Sequence, residues 1–354
     1  MAPDSPIQAI FLLPKRYFNN SIVMPEIISV IITCHNLERY IGEAIESVLA
    51  QDYDGPIELL VVDDASTDAS ADIIHSYQKN IIYLPTKKNI GVLMATVHGL
   101  RHSSGDVVFF LDGDDTWRID KLRLSMQLFN IDPKLGFLTH DISYADICGT
   151  VMERTSRSSQ VFGKEAGDGE LVRKGILHHT DYIWLGSAYA VRQSVIDAEG
   201  FCIWAEHLPN SFNTYQDWPL AYWAASHPDI TMRYLPEKLM HYRLHGENYS
   251  GDARSVQKAL RNFRRAYNTV SAIIDIALIY GIIGIPFDIS VRKKAFYQYL
   301  LDLYSGKRLG SLLKFIFVQR YIFTGTPHIF KEWVRFFGIF FLGPRYFLKI
   351  TKKT

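Results

Sequence analysis

The sequence predicts an α/β protein with a mostly parallel sheet flanked by helices. Three observations predict it. Apolar, largely β-branched runs recur at 27–33 (IISVIIT), 57–63 (IELLVVD), 81–84 (IIYL) and 106–111 (DVVFFL). The segments between them carry apolar residues at helical spacing, and three of the four runs end in polar clusters. Continuous apolar runs describe strands covered on both faces. Strands alternating with short amphipathic helices imply parallel pairing.

Taken in order, strand 27–33 ends at Thr33-Cys34-His35-Asn36, and ERYIGEAIESVLA (38–50) sets Ile41, Ala44, Ile45, Val48 and Leu49 on one helical face. Strand 57–63 ends at Asp63-Asp64-Ala65-Ser66, before a helix over 67–79. A strand over 81–84 follows, then a helix after Gly91. Strand 106–111 runs into Asp112-Gly113-Asp114-Asp115. Ligands bind at the carboxyl ends of such strands, so the three polar clusters are expected on one edge. Farther on, 135–145 and 182–191 read as strands, 217–227 as a helix and 230–243 as one or two strands. From about 252 the chain reads as helical and increasingly aromatic. No internal repeat or low-complexity tract is visible.

The 354 residues suffice for one large domain or a domain with an appendage, and 48% hydrophobic residues supply its core. Three scattered cysteines without a C-x-x-C pair argue for a reducing compartment, against a disulfide framework and against structural zinc. The first 25 residues lack a basic region ahead of their apolar run, so no secretory signal is expected. Met24 offers an alternative start.

The net charge of +1 conceals an asymmetry. Residues 307–354 hold ten Lys/Arg and one acid, leaving 28 basic and 36 acidic residues in the body.

Three carboxylates within four positions, Asp112, Asp114 and Asp115, raise one another's pKa unless a cation joins them. Gly113 lets the backbone turn so that Asp112 and Asp114 face one point. A hard divalent cation, Mg²⁺ or Mn²⁺, that shares a diphosphate suits such oxygen ligands. A solvated acidic turn is the plainer alternative.

The order T-C-H-N, VVDDASTD, KKNIGVLMA, FFLDGDD, QDW and HYRLHGENYS, between about 27 and 250, resembles the family-two glycosyltransferases with the Rossmann-like GT-A fold. The resemblance implies a catalytic domain over 26–250, with a nucleotide-binding half (26–117) and an acceptor half (118–250). It further implies that Thr33, His35 and Asp64 hold the nucleotide base, supported by Asn36, Glu38, Asp63 and Ser66. Lys88, Asn89 and Gly91 would face ribose or phosphate. Asp112 and Gly113 would lie at the ribose or metal, with Asp114 and His245 as metal ligands and Asp115 behind them.

Asp217 would be the general base, although Gln216 replaces the family's usual glutamate. Asp217 equally suits a helix cap, with Pro219 in the first turn. Gly186 and Ser187 would line the acceptor pocket, near Gln216 and Trp218, and Arg243 and Ser250 would steady phosphate oxygens. The implied reaction inverts the anomeric centre of a nucleotide-diphosphate sugar, UDP-linked by expectation, on a glycan or lipid-linked acceptor of a bacterial surface polymer.

Twelve aromatics interleave with the ten cations of 307–354. That density reads as an interfacial element on anionic lipid, placing the protein on the inner face of the cell membrane. A helical subdomain packed on the body is the alternative. FFGIFFL (336–342) is too short to span. VSAIIDIALIYGIIGIPF (270–287) nearly suffices, but Asp275, two glycines and Pro286 favour a packed helix and a turn.

Dinucleotide and phosphate-loop signatures are absent, as are a nucleic-acid-binding motif and the Q-x-x-R-W of processive synthases. A homo-oligomer stays open. So does a non-catalytic nucleotide-sugar sensor or membrane scaffold.

Overall fold

The computed structural model describes residues 27–156, 169–179, 185–196, 200–245, 255–307, 310–311 and 329–345. Strands β1 (Ile28–Cys34), β2 (Ile57–Asp63), β3 (Ile82–Pro85) and β4 (Val107–Asp112) form a parallel half-sheet in the order β3-β2-β1-β4. It continues through β8 (Ala190–Arg192), β6 (Leu135–Ala145) and β9 (Thr231–Arg243) to β5 (Thr116–Trp117), with β7 (Val151–Met152) paired to β6. β8 runs antiparallel to both neighbours, whereas β6 and β9 are parallel. The sheet is therefore mixed and mostly parallel, flanked by helices.

Side-chain alternation with period two divides the core. Val30, Ile32, Leu59, Val61, Phe109 and Leu111 face α1 (Ile41–Leu49) and α4 (Lys121–Ile131). Ile31, Leu60, Val62, Val108 and Phe110 face α3 (Val92–His102), α6 (Phe201–Glu206) and α7 (Asp217–Ala225). Every residue of β1 is buried, as its unbroken apolar run requires. The remaining helices of the body are α2 (Ser70–Ser76) and α5 (Gly169–Leu177).

Several elements depart from the sequence reading. Residues 186–188 form a 3-10 turn before the short β8, and 182–184 lie outside the described residues. The 230–243 stretch makes one strand, Thr231–Arg243, whose register against β6 shifts at three points. α4 and α5 fall where the sequence reading names no element.

The C-terminal helices are α8 (Val256–Ile279), α9 (Ile285–Tyr304) and α10 (Ile329–Leu342). α8 opens with Ser255, whose hydroxyl accepts the Lys258 amide at 3.1 Å. It buries Ile273, Ile276 and Ala277 in the same core as α7. The 270–287 stretch is thus the end of α8, a turn with positive φ at Gly281 and Gly284, and the start of α9. A smaller core joins Ala259, Tyr299, Leu303, Phe336 and Ile339. Among the described residues no helix is long and apolar enough to cross a membrane.

Candidate active site

The parallel register brings the polar clusters together: Thr33 sits beside both Val62 and Asp112, and Cys34 beside Asp63. Most of the first two clusters is spent on one another. Asn36 takes a left-handed φ of 57°; its side-chain oxygen accepts the Thr67 amide at 2.7 Å, and its own amide donates to Ser66 Oγ. The Glu38 carboxylate accepts the Ala69 amide at the start of α2. Asp63 accepts the Ser66 amide and the Tyr83 hydroxyl. These side chains staple loops rather than project into open space.

Asp64 is the anchor of the neighbouring loop. Its Oδ1 accepts the Ile90 amide at 2.7 Å and the Thr86 hydroxyl, and its Oδ2 accepts the Gly91 amide at 2.9 Å. His35 is fixed at both nitrogens: Nδ1–H donates to the Asp64 carbonyl, and Nε2 accepts from Asn89 at 2.8 Å. Lys88 is exposed beside them.

Gly91 adopts φ 83°, ψ 156°, a conformation essentially reserved for glycine. A Cβ there would stand 2.4 Å from the Phe212 carbonyl oxygen. Gly91→Ala is therefore expected to cost about 1–3 kcal/mol, read as a Tm lowered by several degrees together with weakened nucleotide binding.

The acidic turn closes the edge. Gly113 donates its amide to the Thr33 carbonyl, and a Cβ on it would press that oxygen, Ile41 and Leu37 at 3.0–3.1 Å. Asp112 Oδ1 accepts from Gln216 Nε2 at 2.7 Å, and its amide donates to Ser187 Oγ. Burial, Asp114 and Asp217 together push the Asp112 carboxyl up to about 7. Asp115 is fully buried: Oδ1 accepts the Arg243 amide, Oδ2 has no hydrogen-bond partner, and burial, Asp114 and Asp112 raise its pKa.

Gln216 is the hinge between the two halves of the site. Thr96 donates its hydroxyl to the Gln216 carbonyl oxygen, which turns the amide NH₂ toward Asp112. A glutamate there would bring another carboxylate to Asp112, whereas the amide brings a donor. Asp217 follows at the first turn of α7, where Oδ1 accepts the Trp218 amide at 2.9 Å. Burial pushes its carboxyl up to about 6. Gly186 lies directly against this pair, since a Cβ would meet Gln216 Nε2 at 3.2 Å and Asp217 Cβ at 3.6 Å. Trp218 turns away, its ring near Tyr215 and His179.

Two assignments change. Ser187 is fully buried beneath Asp112 and accepts Lys121 Nζ on its carbonyl, so it supports the turn and does not line an open pocket. Arg243 does not face outward to a phosphate. Its guanidinium binds Glu43, the Asp114 carbonyl and the Ile147 carbonyl, bracing the acidic turn against α1. Ser250 lies outside the described residues.

Sequence reasoning missed Thr96, Glu43 and above all Lys121, which is fully buried with Nζ 3.9 Å from the Trp117 ring centroid. Burial lowers its pKa well below the ordinary value, against the pull of Asp115. Its signal was a cation on the apolar stripe of α4, alongside Ser125 and Phe129.

His245 completes the edge: Nε2 lies 2.8 Å from Asp114 Oδ2, and its ring packs on Tyr40. That separation is close to the edge of an octahedron with metal–ligand bonds of about 2.1 Å, about 3 Å. Among the described residues no three His, Cys, Asp or Glu side chains form a metal cage. Asp114 and His245 would supply one carboxylate oxygen and one imidazole nitrogen to a divalent cation, leaving its other positions to water and phosphate oxygens. The crowded carboxylates of Asp112, Asp114 and Asp217 favour the same charge.

Comparison with known proteins gives the class. The model of the family "Glycosyl transferase family 2" matches residues 29–179. An uncharacterized glycosyltransferase of Nostoc sp. is 30% identical over 234 residues, 64% of this chain and 68% of that protein. The chain belongs to glycosyl transferase family 2 and is a glycosyltransferase.

Its fold is that of S. aureus TarS residues 1–349 in complex with UDP-GlcNAc, with TM-score 0.55, 18% identity and coverage of 88% of this chain and 80% of that one. The mannosyltransferase PcManGT of Pyrobaculum calidifontis, in complex with GDP-Man and Mn²⁺, gives TM-score 0.52 at 16% identity, covering 86% and 80%.

Proposed function

We propose that this enzyme transfers a hexose, with inversion and one unit at a time, from a nucleotide-diphosphate sugar to a hydroxyl of a glycan or lipid-linked acceptor. The observation that carries the reading is the 2.7 Å bond from Gln216 to Asp112. It sets a carboxylate poised near neutral pH, Asp217, beside the acidic turn. UDP is the expected nucleotide, in keeping with the UDP-GlcNAc complex of TarS, and the Mn²⁺ in the PcManGT complex supports the metal.

In this scheme the ring of His35, pinned at both nitrogens, offers its face to the base while Thr33 borders it. Asp64 and Asn89 keep the Gly91 loop rigid around the ribose, with Lys88 beside the diphosphate. Asp114 and His245 would hold Mg²⁺ or Mn²⁺, which neutralises the departing diphosphate when bound. Asp217 accepts the proton of the attacking hydroxyl. The oxygen's electron pair forms the new bond to the anomeric carbon as the bond to diphosphate breaks on the opposite face.

The basic, aromatic residues 307–354 and the exposed apolar tip at Leu278, Ile279, Ile283 and Ile285 support peripheral attachment to an anionic inner-membrane leaflet. A donor panel monitored by thermal shift tests the proposal. One nucleotide sugar is expected to stabilise the chain with Mn²⁺ and to lose most of that effect in EDTA; equal shifts with and without metal would contradict it.

A further inference from the structure

Away from the acidic edge, a cavity of about 340 Å³ opens between the loop before α7 and helices α8 and α9. That volume suits a small-molecule site, but its wall is polar. Asn213, Asn268 and Gln298 supply amides that both donate and accept, and Asp302 supplies a buried carboxylate. Asn268 Nδ2 donates to the Asn213 backbone carbonyl, and Gln298 Nε2 donates to Asp302 Oδ1, so the Asn268 and Gln298 amides are held in place. Arg264 and Lys307 stand exposed on the same wall, and neither side chain has a hydrogen-bond or ion-pair partner among the described residues. Tyr267 adds a ring whose face is also approached by Lys294.

Paired donors and acceptors match hydroxyl groups, and two unpaired cations match a phosphate or carboxylate. A lipid chain would call for a largely apolar wall, whereas here only Leu301 and Tyr267 stand among eight polar or charged residues. The cavity is wired to the chemistry by one short segment. Asn213 is four residues before Asp217, at most about 14 Å along the chain. Between them the Tyr215 amide donates to Thr269, the neighbour of Asn268 on α8, and Gln216 donates to Asp112.

We infer that this cavity is an acceptor subsite that holds an anionic saccharide unit of the growing glycan, one or two residues from the hydroxyl that reacts at Asp217. The inference rests on the transferase reading of the acidic edge and extends it to the C-terminal helices, which would select the acceptor by charge.

The test uses the full chain and isothermal titration calorimetry with glucose 6-phosphate, glucuronate, glucose and inorganic phosphate. Wild type is expected to bind the two anionic sugars at least tenfold more tightly than glucose or inorganic phosphate. The Arg264→Ala/Lys307→Ala double variant, altered only at exposed, unpaired side chains, is expected to lose that preference. Its UDP-induced thermal shift with Mn²⁺ reports the donor site separately, so failure here with that shift intact overturns the subsite alone. Absence of binding to wild type, retention of the preference in the double variant, or equal binding of inorganic phosphate would each overturn the inference.

Discussion

Asp217→Asn is expected to lower kcat by about 10²–10⁴-fold, the range general-base catalysis contributes, with donor binding nearly unchanged. The amide keeps the size of the carboxylate and can still accept the Trp218 amide bond, so α7 keeps its start, but it cannot take a proton. Because burial holds Asp217 up to about 6, the free carboxylate predominates only above that pH. The wild-type rate should therefore fall about tenfold per unit below pH 6, and the residual rate of the asparagine variant should lose that limb. A steady-state pH profile on both proteins checks the pair of effects. An unchanged kcat would remove Asp217 from the chemistry.

Asp114→Asn is expected to separate the protein's stability from its metal response. Removing one of the two proposed protein ligands should weaken Mn²⁺ binding by about 10–100-fold or more and reduce turnover accordingly. The metal-free variant should nonetheless be at least as stable as wild type, because Asp114 is one of the charges that hold Asp112 up to about 7.

The sign follows from proton uptake. Folded Asp112 keeps its proton to about 7, while the unfolded carboxyl releases it near 3.8. The folded state therefore binds more protons between those values, and metal-free wild type should lose stability as pH rises through that window. The asparagine variant should show a flatter curve. Thermal unfolding across pH 4–8 in EDTA reads this directly, and a destabilised variant with the wild-type pH slope would count against it.

The parts of the fold legible in sequence were those written in continuous apolar runs. β1, β2 and β4 carry one signal each, because their interiors are almost wholly apolar, with Ser29 and Glu58 as the exceptions. β5 and β7 are two residues long and exist only through their partners on β9 and β6, so no local pattern announces them. At the site, residue types were readable but their partners were not. Asp64 stands at a strand end in any reading, yet its engagement with the amides of Ile90 and Gly91 depends on the β2–β3 pairing that folds residues 86–91 across it.

The family resemblance of HYRLHGENYS made Arg243 a phosphate ligand. Its real partner Glu43 is 200 positions away on α1. Gln216 looked like a weakened match to the family. Its amide instead supplies the donor that Asp112, crowded by carboxylates, accepts.

The central claim is that Asp114 and His245 share a dication with the diphosphate of the donor, beside Asp217. Electron paramagnetic resonance of Mn²⁺ titrated into the full chain, with and without UDP, tests it most directly. UDP is expected to tighten Mn²⁺ uptake strongly in wild type and hardly at all in Asp114→Asn or His245→Ala. Tight UDP binding in EDTA, with the free Mn²⁺ signal untouched by protein and nucleotide together, would contradict it.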